Sequence, residues 1–175
     1  ELHPVQTVGD RVQDRPLAEI GGKALWTKEL DLALFDGRID LAVHSMKDVE
    51  TVLPPGISIA AVLPRADPRD RLIGAESIAA LAADTLVGTS SPRRAALLRN
   101  RRPDLRVVNL RGNVATRIRH VKEGRVGATF LAAAGLDRLG IDVGVPLSID
   151  EWLPASAQGI IGITCRADDQ RTLAL

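Results

Sequence analysis

The sequence predicts an α/β fold with two lobes, built on mixed, mostly parallel sheets. Three observations support this prediction. Short apolar runs alternate with segments of helical periodicity, polar side chains directly follow several of these runs, and two proline-bearing segments interrupt the alternation. We expect residues 1–64 and 160–175 to form the first lobe and residues 65–159 to form the second.

The composition is that of a globular chain. Its 175 residues can bury a core of one or two domains. The sequence has no apolar run of about 18 residues that could span a membrane, and no signal-peptide pattern. Its single cysteine, Cys165, excludes an internal disulfide and favours a reducing, cytosolic compartment. Cys165 also has no partner at metal-ligand spacing, so we expect a small buried side chain and no metal site.

The first lobe begins with residues whose pattern is weakly strand-like. We predict a strand over 1–8, a polar loop over 9–16, and a helix whose apolar face runs from Leu25 to Leu34 and ends at Asp36. The glycines and lysine at 21–23 precede this helix but lack the rest of a phosphate-loop pattern, so they are a weak nucleotide signal.

The stretch Ile39–Asp48 carries the clearest functional signal of the first lobe. A buried strand is predicted over Ile39–Val43, and polar residues follow from His44 onward. Because ligands of α/β sheets bind beyond the carboxyl ends of strands, Lys47 and Asp48 are candidates for holding a charged ligand and moving a proton. A surface ion pair at a strand end is the alternative interpretation.

Two segments are expected to cross between the lobes. A buried strand over 57–63 is followed by the charged, proline-bearing segment 64–70. The second crossing is predicted over 153–159, and a strand over 160–164 then returns to the first lobe.

The second lobe contains a strand-to-helix turn with two arginines. A short strand ends at Gly88, Ser91 is suited to cap a helix, and Pro92 is suited to its first position. Arg93 and Arg94 then fall in the first helical turn. Since cations there oppose the helix dipole, their placement favours an anion-binding role over helix stability.

A second turn of the same kind follows the next short strand, at 107–108. Gly112 can expose backbone amides, Asn113 can cap the following helix, and Arg111 and Arg117 lie on either side. Both turns could point into one cleft. The remaining cations of this region are expected to solvate helix faces: Arg99, Arg101, Arg102, Arg106, Arg119, Lys122 and Arg125. A strand over 126–131 and small residues at the start of 132–140 complete the lobe.

The charge is concentrated in this lobe. Residues 91–125 carry eleven Lys or Arg against two acidic residues, whereas the flanking regions are acidic and the whole chain has a net charge of +1. An excess of positive charge in one segment implies an anionic partner, either a nucleic-acid backbone or a small polyanion. A solvated basic face is the simpler alternative.

Five motifs occur together in the order of one known family. HSMKDV, GTSSPRR, LRGNVATR, AAAGLDRLG and AQGIIGITCR resemble the porphobilinogen deaminase (hydroxymethylbilane synthase) family over essentially the whole chain. The resemblance implies a two-lobed fold like that of periplasmic binding proteins, with the active site between the lobes. It implies head-to-tail condensation of four porphobilinogen molecules into hydroxymethylbilane with release of ammonia, in tetrapyrrole (haem) biosynthesis. The covalent dipyrromethane cofactor is extended during this reaction.

The resemblance also assigns roles to residues. It implies that Asp48 is catalytic and that a lid covers the site over residues 10–23. It implies that cofactor contacts come from Ser45, Lys47, Thr89, Ser91, Arg93, Arg94 and Gly135. Substrate contacts are implied for Trp26, Arg111, Arg117 and Arg138. The implied partners are porphobilinogen and the growing polypyrrole, with neither nucleic acid nor membrane, and the implied state is a monomer in the cytoplasm.

The chain differs from the family pattern in several ways. It begins with Glu1, after the expected first strand and helix, and ends before the third domain whose cysteine anchors the cofactor. We therefore expect a processed protein or a fragment that by itself can be inactive, and Cys165 is not the anchor. Ala157 stands where Gly is common and Pro92 where Leu is common.

Two rival functions remain at this stage. A non-catalytic anion-binding module of the same fold would gain nothing from the carboxylate of Asp48 in its site. A nucleic-acid-binding protein would use residues 91–125, but this segment has no aromatic residue to stack a base, and its arginine pairs lie at two helix starts.

Overall fold

The computed structural model describes residues 1–5, 7 and 26–175, and these form an α/β fold with two sheets, as predicted. The expected predominance of parallel pairing is wrong, because most pairings between the described strands are antiparallel. The helices are α1 (Lys28–Phe35), α2 (Pro92–Arg101), α3 (Val114–Lys122), α4 (Ala133–Arg138) and α5 (Gln170–Leu173). The strands are β1 (Leu41–Ser45), β2 (Ile57–Val62), β3 (Asp70–Ile73), β4 (Leu86–Gly88), β5 (Arg106–Val108), β6 (Ala128–Ala132), β7 (Val145–Pro146) and β8 (Ile161–Arg166).

The first sheet has the order β1-β8-β2, and both pairings are antiparallel. The expectation of a parallel sheet in this lobe is therefore wrong. The antiparallel pairing results from a contact between distant parts of the chain, because β8 returns from the other lobe and inserts between two strands that are close in sequence. In β1 and β2 the expected complete burial is also wrong, since Val43 is 59% exposed and Val62 is 56% exposed. In this lobe the buried cluster is Leu34, Ala42 and Ile57, so α1 covers one face of the sheet.

The second sheet has the order β5-β4-β6-β3-β7. Strands β5, β4 and β6 are parallel, whereas β3 pairs antiparallel with β6 and β7. Parallel pairing is thus confined to three strands of the described sheets. Because β4 and β5 are parallel neighbours, their carboxyl ends lie side by side, and so do the two arginine-bearing turns that follow them. The core beneath includes Phe130 stacked on Trp152, with ring centroids 4.5 Å apart.

The local predictions near the first helix have mixed outcomes. Helix α1 is confirmed, with Asp36 at its C-cap. The next strand runs over Leu41–Ser45 rather than Ile39–Val43, and Met46–Asp48 forms a short 3-10 helix. The described residues of the predicted first strand, 1–5 and 7, are not in a strand. The predicted loop at 9–16, the residues 21–23 and the lid at 10–23 lie outside the described residues.

The structure also describes the single cysteine, the lengths of the helices and the grouping of possible metal ligands. Cys165 is completely buried, as predicted, and burial raises the pKa of its thiol. Within the described ranges, no helix is long and apolar enough to cross a membrane. The same part of the chain contains no group of three or more His, Cys, Asp or Glu that could hold a metal ion.

The chain passes between the two sheets after β2 and returns before β8, and the two connecting segments are paired. Leu63 N donates to Ile161 O at 2.9 Å, and Ala66 N donates to Gly159 O at 3.1 Å. Gly159 has a φ of +92°, and a Cβ there would lie 2.4 Å from Ala66 O. The close pairing of the segments therefore requires glycine. Ala157, two residues earlier, adopts a φ of +55°, a conformation that favours glycine. The domain boundaries themselves stay a prediction.

Gly159→Ala tests the paired connection against a matched control. Both Gly159 and Gly140 have positive φ, but no atom lies within 4 Å of a Cβ at Gly140. We expect Gly140→Ala to cost about 1–2 kcal/mol of unfolding free energy from backbone conformation, and Gly159→Ala to cost about 1–3 kcal/mol more from steric overlap. Urea denaturation measures both. Equal losses would contradict the close approach.

Candidate active site

A cleft of about 1360 Å³ lies beside the carboxyl ends of β1, β4 and β5. It brings together eight predicted site residues: Trp26, Lys47, Asp48, Ser91, Arg93, Arg94, Arg111 and Arg117. Further lining residues carry polar or charged groups that sequence reasoning did not select: Ser90, Asn109, Asn113, Thr116, His120, Arg125, Ser156 and Gln158.

Lys47 and Asp48 lie on the short 3-10 helix that follows β1. Met46 anchors this helix, because its N–H donates to Ile160 O at 3.0 Å and its side chain packs directly over Gly162, which has no Cβ to overlap it. Lys47 and Asp48 therefore face the cleft. Both side chains reach solvent through the cleft, but the surrounding protein excludes part of their water.

The pKa values of this pair reflect their partial desolvation. Burial raises the pKa of Asp48, while the charges of Lys47 and Arg94 act in the opposite direction. Burial lowers the pKa of Lys47, and the negative charge of Asp48 opposes this shift. Each group thus stabilises the charged form of the other, although burial disfavours both charges. Such mutual support is typical of functional carboxylates but also occurs in structural pairs.

The first arginine-bearing turn has the predicted cap. Ser91 Oγ accepts a hydrogen bond from Arg94 N at 3.4 Å, and Pro92 occupies the first helical position. Arg94 is only 6% exposed, and its guanidinium donates to both oxygens of Asp70, at 2.7 and 3.0 Å, and to Phe130 O at 3.0 Å. The cost of placing this cation at a helix start is therefore offset by a buried carboxylate rather than by a ligand.

Asp70 is the centre of this network. It is fully buried and accepts five hydrogen bonds, two from Arg94 and one each from Arg93 (3.0 Å), Trp152 Nε1 (2.9 Å) and Gln158 Nε2 (2.8 Å). Burial raises the pKa of Asp70, but the Arg94 hydrogen bonds and the two guanidinium charges outweigh it and hold the pKa well below its usual range. Sequence reasoning missed Asp70 because it lies in a charged segment that resembles an exposed linker.

The second turn also has the predicted geometry. Asn113 Oδ1 accepts a hydrogen bond from Thr116 N at 2.9 Å, and Gly112 has a φ of +106°. Arg117 Nε donates to Gly112 O at 2.8 Å, so the arginine side chain folds back over the turn. Desolvation, together with the charges of Arg94 and Arg111, lowers the pKa of Arg117 to about 10. An anion entering the cleft would relieve this repulsion.

Trp26 also lines the cleft and lies against Arg111 of the second turn. The guanidinium carbon of Arg111 is 5.8 Å from the centroid of the Trp26 ring, within the range of a cation–π contact. The aromatic face and the guanidinium therefore form a combined surface that suits a planar ligand with acidic substituents.

Four predicted site residues do not line the cleft: Ser45, Thr89, Gly135 and Arg138. Thr89 is buried and its hydroxyl accepts a hydrogen bond from Ser91 N at 3.2 Å, which supports the capped turn. Arg138 donates to Gly159 O at 2.9 Å and so holds the returning connection. The direct ligand contacts expected of these four residues stay predictions, and for Thr89 and Arg138 the observed contacts are structural.

Asp70→Asn tests the buried network. The substitution leaves the Arg94 guanidinium buried without a compensating charge, so we expect a loss of about 3–5 kcal/mol of unfolding free energy. Asp104→Asn, which removes an exposed partner of Arg102, is the control and should leave the unfolding free energy nearly unchanged. Denaturant titration measures both, and a small loss for Asp70→Asn would contradict the network's structural role.

The same variant has a predicted pH dependence. The pKa of Asp70 is lower in the folded state than in the unfolded state, where it is about 4. The stability that ionised Asp70 contributes is therefore complete above about pH 4 and is lost as the pH falls toward the folded pKa. The unfolding free energy of the wild type should therefore decrease more steeply below about pH 4 than that of Asp70→Asn.

Comparison with known proteins gives a consistent result. A family model described as "Porphobilinogen deaminase, dipyromethane cofactor binding domain" matches residues 1–174. The porphobilinogen deaminase of Sphingopyxis alaskensis is 57% identical over 100% of this chain and 58% of its own length. The chloroplastic porphobilinogen deaminase of Oryza sativa subsp. japonica is 54% identical over 97% of this chain and 48% of its own length. The chain thus spans about half the length of these relatives.

The fold also resembles solved structures of low sequence identity. A putative methionine-binding lipoprotein from Bacillus subtilis has a TM-score of 0.54 and 12% identity, with 84% of this chain and 72% of that chain covered. At this identity the likeness concerns the fold alone. It confirms the expected similarity to two-lobed binding proteins.

Proposed function

The chain belongs to the porphobilinogen deaminase family, and on this basis we propose that the protein containing it condenses four porphobilinogen molecules head to tail into hydroxymethylbilane, with release of ammonia. The reaction belongs to tetrapyrrole biosynthesis, and we place the protein in the cytoplasm, acting as a monomer. The observation that carries the proposal is the position of Asp48, a carboxylate supported by Lys47 in a cleft whose other wall is cationic.

The cleft has the chemistry that a dipyrromethane cofactor requires. Its wall combines the cations Lys47, Arg93, Arg94, Arg111 and Arg117 with apolar surface, which suits pyrrole rings with acetate and propionate arms. We propose that Lys47, Ser91 and Arg93 hold the cofactor's carboxylates. When bound, the cofactor supplies the pyrrole to which substrate units are joined. Its anchoring cysteine is expected outside this chain.

Asp48 is proposed to act on the substrate's pyrrole N–H. The ionised carboxylate accepts a hydrogen bond from this group and stabilises the positive charge that develops on the ring as the amino group leaves. Lys47 contributes by keeping Asp48 ionised, because its charge opposes the effect of burial on the carboxyl pKa. A carboxylate in a partly desolvated site interacts more strongly with such a charge than one in water.

Arg111 and Arg117 are proposed to bind the substrate's carboxylates. The Arg117 guanidinium already lies in an environment that disfavours its charge, so an anionic ligand is stabilised there by more than an exposed cation could provide. Arg94 has a different role in this proposal. Its three guanidinium nitrogens all donate to protein groups. Arg94 therefore acts on the ligand through the electrostatic potential of its charge and by holding the turn in place.

The rival functions have less support. In a non-catalytic anion-binding module, Asp48 would repel the ligand and Lys47 would be partly neutralised. For nucleic-acid binding, Arg93, Arg94 and Arg102 would have to face the phosphate backbone, but each donates to a carboxylate within this chain. The distribution of these contacts therefore favours the enzyme.

Asp48→Asn in the full-length protein tests the catalytic role. The amide has the same shape but cannot stabilise a developing positive charge, so we expect kcat to fall about a hundredfold or more. The exposed Asp150→Asn serves as the control and should retain wild-type turnover. Substrate consumption and denaturation curves measure activity and folding separately. Normal turnover by a folded Asp48→Asn protein would exclude the assignment.

Substitution of Lys47 should shift the pH profile. In Lys47→Gln the charge that lowers the pKa of Asp48 is lost, so the carboxyl pKa rises further and the acid limb of kcat/KM moves to higher pH. Lys47→Arg retains the charge and should keep the limb close to its wild-type position. A limb that stays in place in Lys47→Gln would show that Lys47 does not act through Asp48.

A further inference from the structure

Part of the cleft lies along α3, and we call this part the α3 groove. Its polar rim is formed by Arg117, His120 and Arg125, and its apolar floor by Leu86, Val108, Leu110 and Val126. Leu110 and Val126 are buried, so they form a fixed surface. An apolar floor with a rim of hydrogen-bond donors, two of which are guanidinium groups, suits a chain of flat rings that carries acidic side chains.

The size of the cleft exceeds what one small ligand needs. Ligand pockets usually have volumes of about 300–1,000 Å³, whereas this cleft has about 1360 Å³. From Asn113 to His120 the groove follows α3 for roughly 10 Å, at the rise of an α-helix. The groove is therefore part of a cleft with room for more than one ring, in which earlier-added units of a growing chain could lie.

His120 is the most distinctive group of the rim. It is half-buried and lines the cleft, yet its side chain makes no hydrogen bond or ion pair with the described residues. Arg125 is exposed and pairs with Glu123 at 2.9 Å, a contact that an incoming carboxylate could replace at small cost. The cations Arg119 and Lys122 lie in the last turn of α3 with His120, where positive charge interacts favourably with the helix dipole.

We propose that the α3 groove binds the acidic side chains of the growing polypyrrole after the first additions, with His120 as the principal contact and Arg125 as the outer one. This inference rests on the proposed function and deepens it. It assigns a binding role to Arg125, which the sequence predicted only to solvate a helix face. The groove is then a substrate-binding extension that acts on the later condensations and not on the first.

The test compares full-length wild type with His120→Gln, His120→Lys and Lys122→Gln. Each enzyme is mixed rapidly with a limited amount of porphobilinogen, and the number of units attached is followed by mass spectrometry under denaturing conditions. We expect His120→Gln to add the first unit at the wild-type rate and later units about tenfold more slowly, the effect of weakening one hydrogen bond to a ligand carboxylate. His120→Lys should restore the later rates. Lys122, on the same turn but outside the cleft lining, should have no effect.

The outcomes separate this inference from the proposed function. If wild type attaches no units, the proposed function fails and the inference fails with it. If wild type attaches units in sequence but His120→Gln does so at unchanged rates, even combined with Arg125→Gln, only the groove assignment is overturned. Uniform slowing of all additions, including the first, would also overturn it, because it would indicate a general structural effect.

Discussion

The buried carboxylate of Asp70 is the interaction on which the rest of the structure depends. Its five hydrogen-bond donors come from the start of α2, from Trp152 and from Gln158 in the returning connection. Asp70 itself begins β3, directly after the first connection. One side chain therefore ties both connections to the helix start that forms a wall of the cleft. A buried charge is costly unless it is fully paired, so this arrangement tolerates little displacement.

The pairing also divides the cations of the cleft into two kinds. Arg93 and Arg94 donate to Asp70, so much of their charge is already compensated. Arg117 has no carboxylate partner among the described ion pairs. Its pKa falls because its side chain is largely desolvated and because two other guanidinium groups lie nearby. An acidic ligand gains most from the second kind of cation. Arg94, all of whose guanidinium nitrogens donate to protein groups, fixes the geometry of the capped turn. Arg93 shares its guanidinium between Asp70 and the proposed cofactor site, and in the same proposal Arg117 supplies binding energy.

The same physical logic applies to Asp48. A carboxylate in an anion-binding cleft is unfavourable for binding alone, since it repels the ligand and loses water. Its presence beside Lys47 is understandable if positive charge develops there during reaction. The cleft then combines two opposed requirements: cations that hold the acidic arms of the ligand and one anion close to the reacting ring.

The sequence by itself determined the features that depend on neighbouring residues. The caps at Ser91 and Asn113, the positive φ of Gly112 and the position of Lys47 and Asp48 after a strand all follow from local chemistry, and the structure has them. Only the tertiary structure decided the insertion of β8 between β1 and β2, the pairing of Asp70 with Arg94, and the entry of His120 and Arg125 into the cleft. These contacts join residues far apart in the chain. No periodicity or turn pattern in the sequence predicts these contacts. They are stabilised by burial and charge pairing, which exist only after the distant segments have come together.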